Sequence, residues 1–441
     1  MAAAQPVQNL EKNGVKNVLE ALYLAGAEPT FKVRENAKVI FNTDVYLDTS
    51  NLGTIQYKVG KDFSGISENT QKSHSELSPY PLLDTQGDGL RSAVGIISAL
   101  TAVKKPIILM DEPEAFLHPP QALLLGEMIS NLIDDSQQIF IATHSADFVR
   151  GLLSTTRDAV IIHLDRISDT ETIAHPLDSV TLNKIITNPL LSSSRVLEGM
   201  FYKGVVATEA DADTVFYQRL FQRVNASDEI HFVNAHNKQT LKNIIEPYQK
   251  LGIRFALIAD ADIIRDKHDL TEILKLTADE TTKTTILSLR DEVYGFFQSK
   301  SKYETLCELK EKTLELASKD LPENYTDDEI SKILFDFRSE LKKLREESDD
   351  LAALKNSGKN CMPPEIQSKF IKLCEECSQI GLFIVPVGEL ESWLVDYGIK
   401  KSNQKTKWIT SALDKLFELE YDANKEIWIF IDLLKSYLTL K

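Results

Sequence analysis

Residues 106–121 read PIILMDEPEAFLHPPQ. Ile107, Ile108, Leu109 and Met110 form an unbroken apolar run that ends in two carboxylates, Asp111 and Glu112, followed by Pro113. A run of this kind suits a strand buried on both faces of a parallel sheet. Its carboxyl end is where open α/β sheets place their ligands. In a nucleotide site, Asp111 would hold Mg²⁺ through its water shell and Glu112 would orient or deprotonate the attacking water. The plainer reading is a core strand followed by a proline turn with solvated acids, and two neighbouring stretches count against it.

Downstream, QQIFIATHSADF (137–148) gives a strand from Ile139 to Ala142 that ends in Thr143, His144 and Ser145. A histidine there is within reach of a γ-phosphate or the attacking water. Upstream, LDTQGDGLRSAVGIISAL (83–100) sets Gly87 and Gly89 just ahead of an apolar helical pattern. That arrangement offers backbone N–H groups and a helix N-terminus to an anion. The order of glycine turn, helix, acid-tipped strand, Pro-Glu turn, helix and histidine-tipped strand resembles the second half of an ABC-type ATPase head, as in the SMC, RecF and OLD-like proteins. The resemblance implies ATP as cofactor, with Gly87 and Gly89 in the signature turn. It makes Asp111 the Walker B metal acid, Glu112 the catalytic acid, Ala115 to Pro119 the D-loop and His144 the switch histidine. Where those proteins commonly carry Ser beside the glycines, this chain has Asp84 or Thr85, depending on alignment.

No G-x-x-x-x-G-K-[ST] loop occurs in the sequence. GAEPTFK (26–32) and GKDFSG (60–65) lack the second glycine with Lys-Ser/Thr and a preceding buried strand. The expectation is an ATPase head without its N-terminal lobe, hydrolysing ATP poorly or not at all by itself. A truncated gene, an expressed fragment, a partner-dependent half and a degenerate scaffold all fit it. The helix expected in NGVKNVLEALYLAG (13–26) would belong to the absent lobe or cover its gap.

At 441 residues the chain has room for two to three domains, and 43% hydrophobic content supplies an ordinary core. No apolar run approaches a membrane span, and MAAAQPVQNLEKNG (1–14) lacks the layout of a signal peptide, so a cytoplasmic protein with no membrane partner is the default. Cys307, Cys361, Cys374 and Cys377 read as helix-borne thiols, because CEEC (374–377) has no histidine nearby to complete a zinc site. A formal charge of −16 argues against gripping nucleic acid by a basic field. It leaves open an enzyme that meets phosphate through divalent metals.

The second half supplies acids for such an enzyme. FYKGVVATEADADTVFYQRLF (201–221) gives a strand, Val205 to Thr208, then Glu209 and a helix opening with Asp211 and Asp213. RFALIADADIIRD (254–266) gives a strand, Phe255 to Ala259, ending in Asp260 and Asp262. GLFIVPVGELESWL (381–394) gives a strand, Leu382 to Val387, then Glu389 and Glu391. Each alone reads as a capped helix start or a solvated strand end. Together they place acids at one edge of a parallel sheet, within the few ångströms over which two Mg²⁺ or Mn²⁺ ions are shared. The spacing of two in DAD and ELE turns alternate residues of an extended segment to one side.

This set resembles the Toprim fold of topoisomerases, primases and OLD-family nucleases. Glu209 and Asp213 match its first element, with Ala210 where Gly is usual, and Asp260 and Asp262 match its Asp-x-Asp. Glu389 and Glu391 fit the further acids of OLD-like nucleases, and the basic residue of such sites is open among Lys401, Lys405 and Lys407. The resemblance implies an α/β chain: a partial ABC-type ATPase domain over 1–195, and a Toprim nuclease domain over 196–441 with a helical insertion at about 268–380. This is the arrangement of the OLD (overcoming lysogenization defect) family of ATP-dependent nucleases. It implies Glu209, Asp260 and Asp262 on one metal, with Asp213, Glu389 and Glu391 shaping a second site or acting as base. DNA would be the substrate, a homodimer or a partner ATPase chain the assembly, and phage defence or DNA repair the setting. A non-catalytic regulatory subunit is the alternative. Primase or topoisomerase chemistry ranks last, since no region suggests the catalytic Tyr domain that a topoisomerase needs.

Overall fold

The computed structural model describes residues 5–6, 15–51, 54–103, 105–155, 159–188, 194–225, 229–235, 238–298, 310–315, 317–318, 326–347, 351–401 and 405–439. The chain divides into two compact units, one of Met1–Ile162 with Pro176–Phe201 and one of His163–His175 with Tyr202–Lys441.

In the first unit, β1 (Gln5–Pro6), β2 (Asp44–Asp48) and β3 (Thr54–Gly60) form an antiparallel sheet in the order β1-β3-β2. Val45, Leu47, Ile55, Tyr57 and Val59 of this sheet share one core with four helices. Helix Val18–Ala25 contributes Leu19 and Leu22, and helix Ala27–Phe41 contributes Val33, Ala37 and Ile40, each at helical spacing. The N-terminal helix is therefore part of this unit's core, where the sequence suggested a piece of an absent lobe or a cover for its gap. Helices Asp88–Ala102 and Pro119–Leu132 complete that core with Ile97, Leu125 and Ile129.

Strands β4 (Ile107–Asp111) and β5 (Gln138–Ala142) pair in parallel, with Asp111 opposite Ala142. Ile108, Met110, Ile139 and Ile141 pack on the core, whereas Ile107, Leu109 and Phe140 are exposed, Leu109 by 76%. The expectation of a strand buried on both faces is thus corrected. Among the described residues β4 and β5 make a two-stranded sheet, and the core covers only the face that alternate residues present to it.

The second unit is built on a parallel sheet ordered β11-β10-β8-β9, from β8 (Gly204–Thr208), β9 (Ile230–Asn234), β10 (Arg254–Ala259) and β11 (Leu382–Ile384). Here the continuous apolar runs do mark strands without an exposed face: every residue of β8 and β11 is buried, as is all of β10 beyond Arg254. One face packs on Phe216, Tyr217, Trp393, Trp408, Trp428 and Phe430. β11 is shorter than the stretch through Val387 read from the sequence. The Val385 N–H still bonds Ala259 O at 2.9 Å, and Pro386 then has no N–H to continue the ladder. β6 (Ile162–Arg166) and β7 (Thr172–Pro176) form a separate two-stranded sheet.

Between β10 and β11 lie helices Lys267–Thr277, Glu280–Phe297, Asp327–Glu347, Ala352–Ser357 and Pro364–Gln379, the helical insertion expected there. Cys361, Cys374 and Cys377 are free thiols, and Cys307 lies outside the described residues. Among the described residues no helix is long and apolar enough to cross a membrane.

Candidate active site

Because β8, β10 and β11 are parallel neighbours, the residues that follow them leave the sheet at one edge. Two backbone groups join these three strand ends. The Asp260 N–H donates to Glu209 Oε1 at 3.3 Å, linking the end of β10 to the end of β8. The Ala261 N–H donates to Gly388 O at 2.7 Å, linking it to the loop after β11 that carries Glu389 and Glu391. Asp260 precedes a 3-10 turn, Ala261–Arg265, which carries Asp262.

Asp213 sits in the first turn of helix Asp211–Val224, is nearly buried, and accepts from the Ala210 N–H at 3.0 Å. A carboxylate there satisfies an orphan donor and complements the helix dipole. Glu391 is also buried, at the start of a short 3-10 turn, Leu390–Ser392. Beneath these acids the Tyr217 hydroxyl accepts from Trp393 Nε1–H at 2.9 Å. Burial first, and then the charges of Asp213, Asp260 and Glu391, hold the Tyr217 hydroxyl well above its ordinary range.

The insertion reaches the same edge, which the sequence did not reveal. Gly388 has φ +107°, and a Cβ on it would stand 2.3 Å from Lys355 O and 2.6 Å from Leu354 O. The Lys359 N–H donates to Pro386 O at 2.9 Å. Helix Ala352–Ser357 is thereby held against the loop that carries Glu389. Burial would lower the pKa of Lys355, yet the charges of Asp262, Asp260, Glu389 and Glu209 carry it above the usual lysine value. Lys355 thus registers four of the six predicted acids, Tyr217 registers the other two, and both register Asp260.

Of the three lysines left open, Lys401 is the one bonded to an acid of the set. Its ammonium donates to Glu389 Oε1 at 2.9 Å and to Asn356 O at 2.7 Å. Lys407 is exposed, and the Lys405 side chain lies outside the described residues. Nothing in periodicity or spacing marked Lys355. It stands next to NSGKNCMPPEI (356–366), which reads only as a polar break between helices.

The donor set is all carboxylate oxygen, which suits a hard divalent cation such as Mg²⁺ or Mn²⁺. Among the described residues no group of three or more His, Cys, Asp and Glu side chains is gathered closely enough to hold a metal ion. Glu209, Asp213 and Glu389 are instead engaged with backbone N–H groups and with Lys401. The chemistry of the donors fits such an ion.

In the first unit the Glu112 N–H donates to Ala142 O at 2.9 Å, and Glu112 adopts φ +45°. Its carboxylate lies 3.1 Å from His144 Nδ1, with both side chains open to solvent. Asp111, at the tip of β4, is exposed. Gly87 caps helix Asp88–Ala102. A Cβ on Gly89 would meet Phe116 O at 2.6 Å, so glycine lets the helix start close on the turn after β4. Buried Glu114, which the sequence reading did not single out, accepts from the Thr143 hydroxyl and ties that turn to the end of β5.

Comparison with known proteins places two domains on the chain. Residues 30–149 match the AAA ATPase domain, and residues 200–262 match the TOPRIM domain of overcoming lysogenization defect protein-like proteins. The Old nuclease of Escherichia phage P2 is 24% identical over 301 residues, covering 65% of this chain and 49% of that protein. The chain therefore spans about half the length of that curated relative. An uncharacterized protein of Methanocaldococcus jannaschii is 35% identical over 69 residues, 15% of this chain and 60% of that one. A solved chain described under ATP-driven dimerization and DNA-stimulated activation of SMC ATPases aligns at 14% identity over 36% of this chain and 90% of its own. Its TM-score of 0.24 is too low to bear on the fold. An AAA ATPase domain match followed by an OLD-like TOPRIM domain match on one chain, together with the similarity to the Old nuclease, supports the OLD family.

Proposed function

We propose that this chain is a metal-dependent DNA endonuclease of the OLD type, hydrolysing phosphodiester bonds at the acids that follow β8, β10 and β11. The observation that carries this reading is the joining of three strand ends, with Lys355 and Tyr217 each exposed to acids from more than one strand. Glu209, Asp260 and Asp262 would hold one divalent cation, and Glu389 and Glu391 a second. Bound metal supplies an activated water and neutralises charge at the attacking and leaving oxygens. Asp213, already bonded to the Ala210 N–H, fixes the start of the helix behind Glu209. Lys401 orients Glu389, and Lys355 offers positive charge to a non-bridging phosphate oxygen.

Gly87, Gly89, Asp111, Glu112 and His144 are assigned to ATP, with Asp111 on its Mg²⁺. Glu112, paired with His144, would orient the attacking water. Since the sequence has no G-x-x-x-x-G-K-[ST] loop, the chain alone is expected to turn ATP over slowly and to cut without it. DNA, and a second copy or another ATPase chain, are the partners, and the family implies phage defence or DNA repair as the setting.

Supercoiled plasmid incubated with the purified chain should be nicked in Mg²⁺ or Mn²⁺ and spared in EDTA, with or without ATP. No cutting under any of these conditions would overturn the reading in favour of a regulatory subunit that needs a partner chain. Replacing Lys355 with Ala should slow nicking by about 10- to 100-fold, the range for residues that support a metal site. Thermal unfolding should be unchanged, and Lys355→Arg should recover part of the rate. An unaltered rate in Lys355→Ala would remove the insertion from the active site.

A further inference from the structure

The strands that bring the acids to one edge are not all neighbours. In the order β11-β10-β8-β9, β10 separates β8 from β11, so no ladder joins the strand before Glu209 to the strand before Glu389 and Glu391. The two backbone bonds between strand ends both run to the end of β10, from Asp260 to Glu209 and from Ala261 to Gly388. A side-chain bond closes the third side of this triangle. Tyr217 lies one helical turn after Asp213 on helix Asp211–Val224, on the same face. Trp393 directly follows the 3-10 turn Leu390–Ser392 that carries Glu391. The Trp393 Nε1–H donates to the Tyr217 hydroxyl at 2.9 Å and so joins the helix after β8 to the turn after β11.

The two rings are held firmly. Tyr217 is 1% exposed and Trp393 4%. Their centroids lie 5.9 and 5.3 Å from that of Phe430 on helix Glu426–Thr439, and Phe430 stands edge-on to Phe383 of β11 at 5.9 Å. Close packing of this kind leaves the bond little room to lengthen. It opposes a definite load, because carboxylates from different strands repel one another until a cation lies between them. A pair that served packing alone would need no oxygen here. Phe at position 217 would fill the same space without lodging a hydroxyl where the charges of Asp213, Asp260 and Glu391 bear on it. Burial and those charges keep the hydroxyl protonated, so it accepts from Trp393 and still has a proton to offer a carboxylate oxygen.

We propose that Tyr217 and Trp393 are positioning residues, whose hydrogen bond fixes the distance between the Glu209 side of the site and the turn that bears Glu389 and Glu391, and so sets the affinity for the second cation. This rests on the acids forming a divalent-cation site, and the measurement tells the two failures apart. Mn²⁺ titrated calorimetrically into the full chain should load two ions in the wild type. Tyr217→Phe removes one oxygen and keeps the ring. In this variant the first ion should bind as in the wild type and the second about tenfold or more weaker, the range for residues that orient metal ligands. The electron paramagnetic resonance signal of coupled Mn²⁺ pairs should fall with it. Trp393→Phe should give the same loss, and the double variant no greater loss than either single change, because all three break one bond. Should Trp393→Phe not fold, Tyr217→Phe alone decides. A lowered unfolding temperature with both affinities unchanged, or losses that add in the double variant, would overturn the proposal. A wild type that loads fewer than two ions would overturn the two-cation site itself, and the proposal with it.

Discussion

Asp260→Asn should lower the rate of metal-dependent plasmid nicking by about a thousandfold, the loss expected when several kcal/mol of metal-borne charge stabilisation disappear. Asp260 is the acid on which the site turns. Its backbone N–H holds Glu209, its neighbour Ala261 holds Gly388 O, and its carboxylate is felt by both Lys355 and Tyr217. Asn keeps the volume and one oxygen, and the two backbone bonds do not involve the side chain. The fold should therefore survive, with an unchanged circular dichroism spectrum and unfolding temperature. Nicking at the wild-type rate by the Asn variant would show that these acids are not the catalytic set.

Asp44→Ala should destabilise the first unit by about 2–4 kcal/mol, seen as a lowered first transition in urea or thermal unfolding of the full chain. The Asp44 side chain is fully buried at the start of β2. It accepts from Arg34 Nε at 3.0 Å, Arg34 Nη2 at 2.7 Å and the Phe63 N–H at 3.1 Å, and lies 3.1 Å from Lys38 Nζ. Removing it strands Arg34 and a backbone N–H and leaves Lys38 only Asp62, 3.6 Å away. The figure sits toward the lower end for broken buried pairs because Lys38 and part of Arg34 reach water. Burial opposes ionisation of Asp44, but the hydrogen bonds from Arg34 and Lys38 hold its carboxyl below the usual range. A depressed folded pKa makes the contribution full above the unfolded value near about 3.9, and it is lost as pH falls through the folded pKa. The stability curves of wild type and Asp44→Ala should therefore converge in acid. Parallel curves down to acid pH would show that Asp44 does not act through its charge.

Much of the architecture was legible because parallel strands write a simple signal. Apolar runs without alternation marked β8 and β10, and the acids at their ends follow from where such strands stop. The same signal misled at β4. Four apolar residues in a row record hydrophobicity but not what lies over each face, and Leu109 faces outward over a two-stranded sheet. Among the acids, Asp213 is expected from the resemblance to shape a second site or act as base, four residues after Glu209. The same spacing puts it at the third position of a helix, where it also accepts from the Ala210 N–H. Lys355 could not have been found by spacing. It comes from the helical insertion and reaches the acids where Gly388, at a positive φ, lets the two backbones touch. Choosing Lys401 among three lysines likewise needed the fold, since all three follow Glu391 in one polar stretch.

The most direct test of the central claim, that acids from three strands form one shared site for two divalent cations, is a Mn²⁺ titration of the purified chain by calorimetry. It would be repeated on Glu209→Gln, Asp262→Asn and Glu389→Gln, one acid from each strand end. The account predicts saturable binding by the wild type, weakened by every one of the three substitutions. Binding that none of them alters, or that depends on the acids of a single strand, would contradict it.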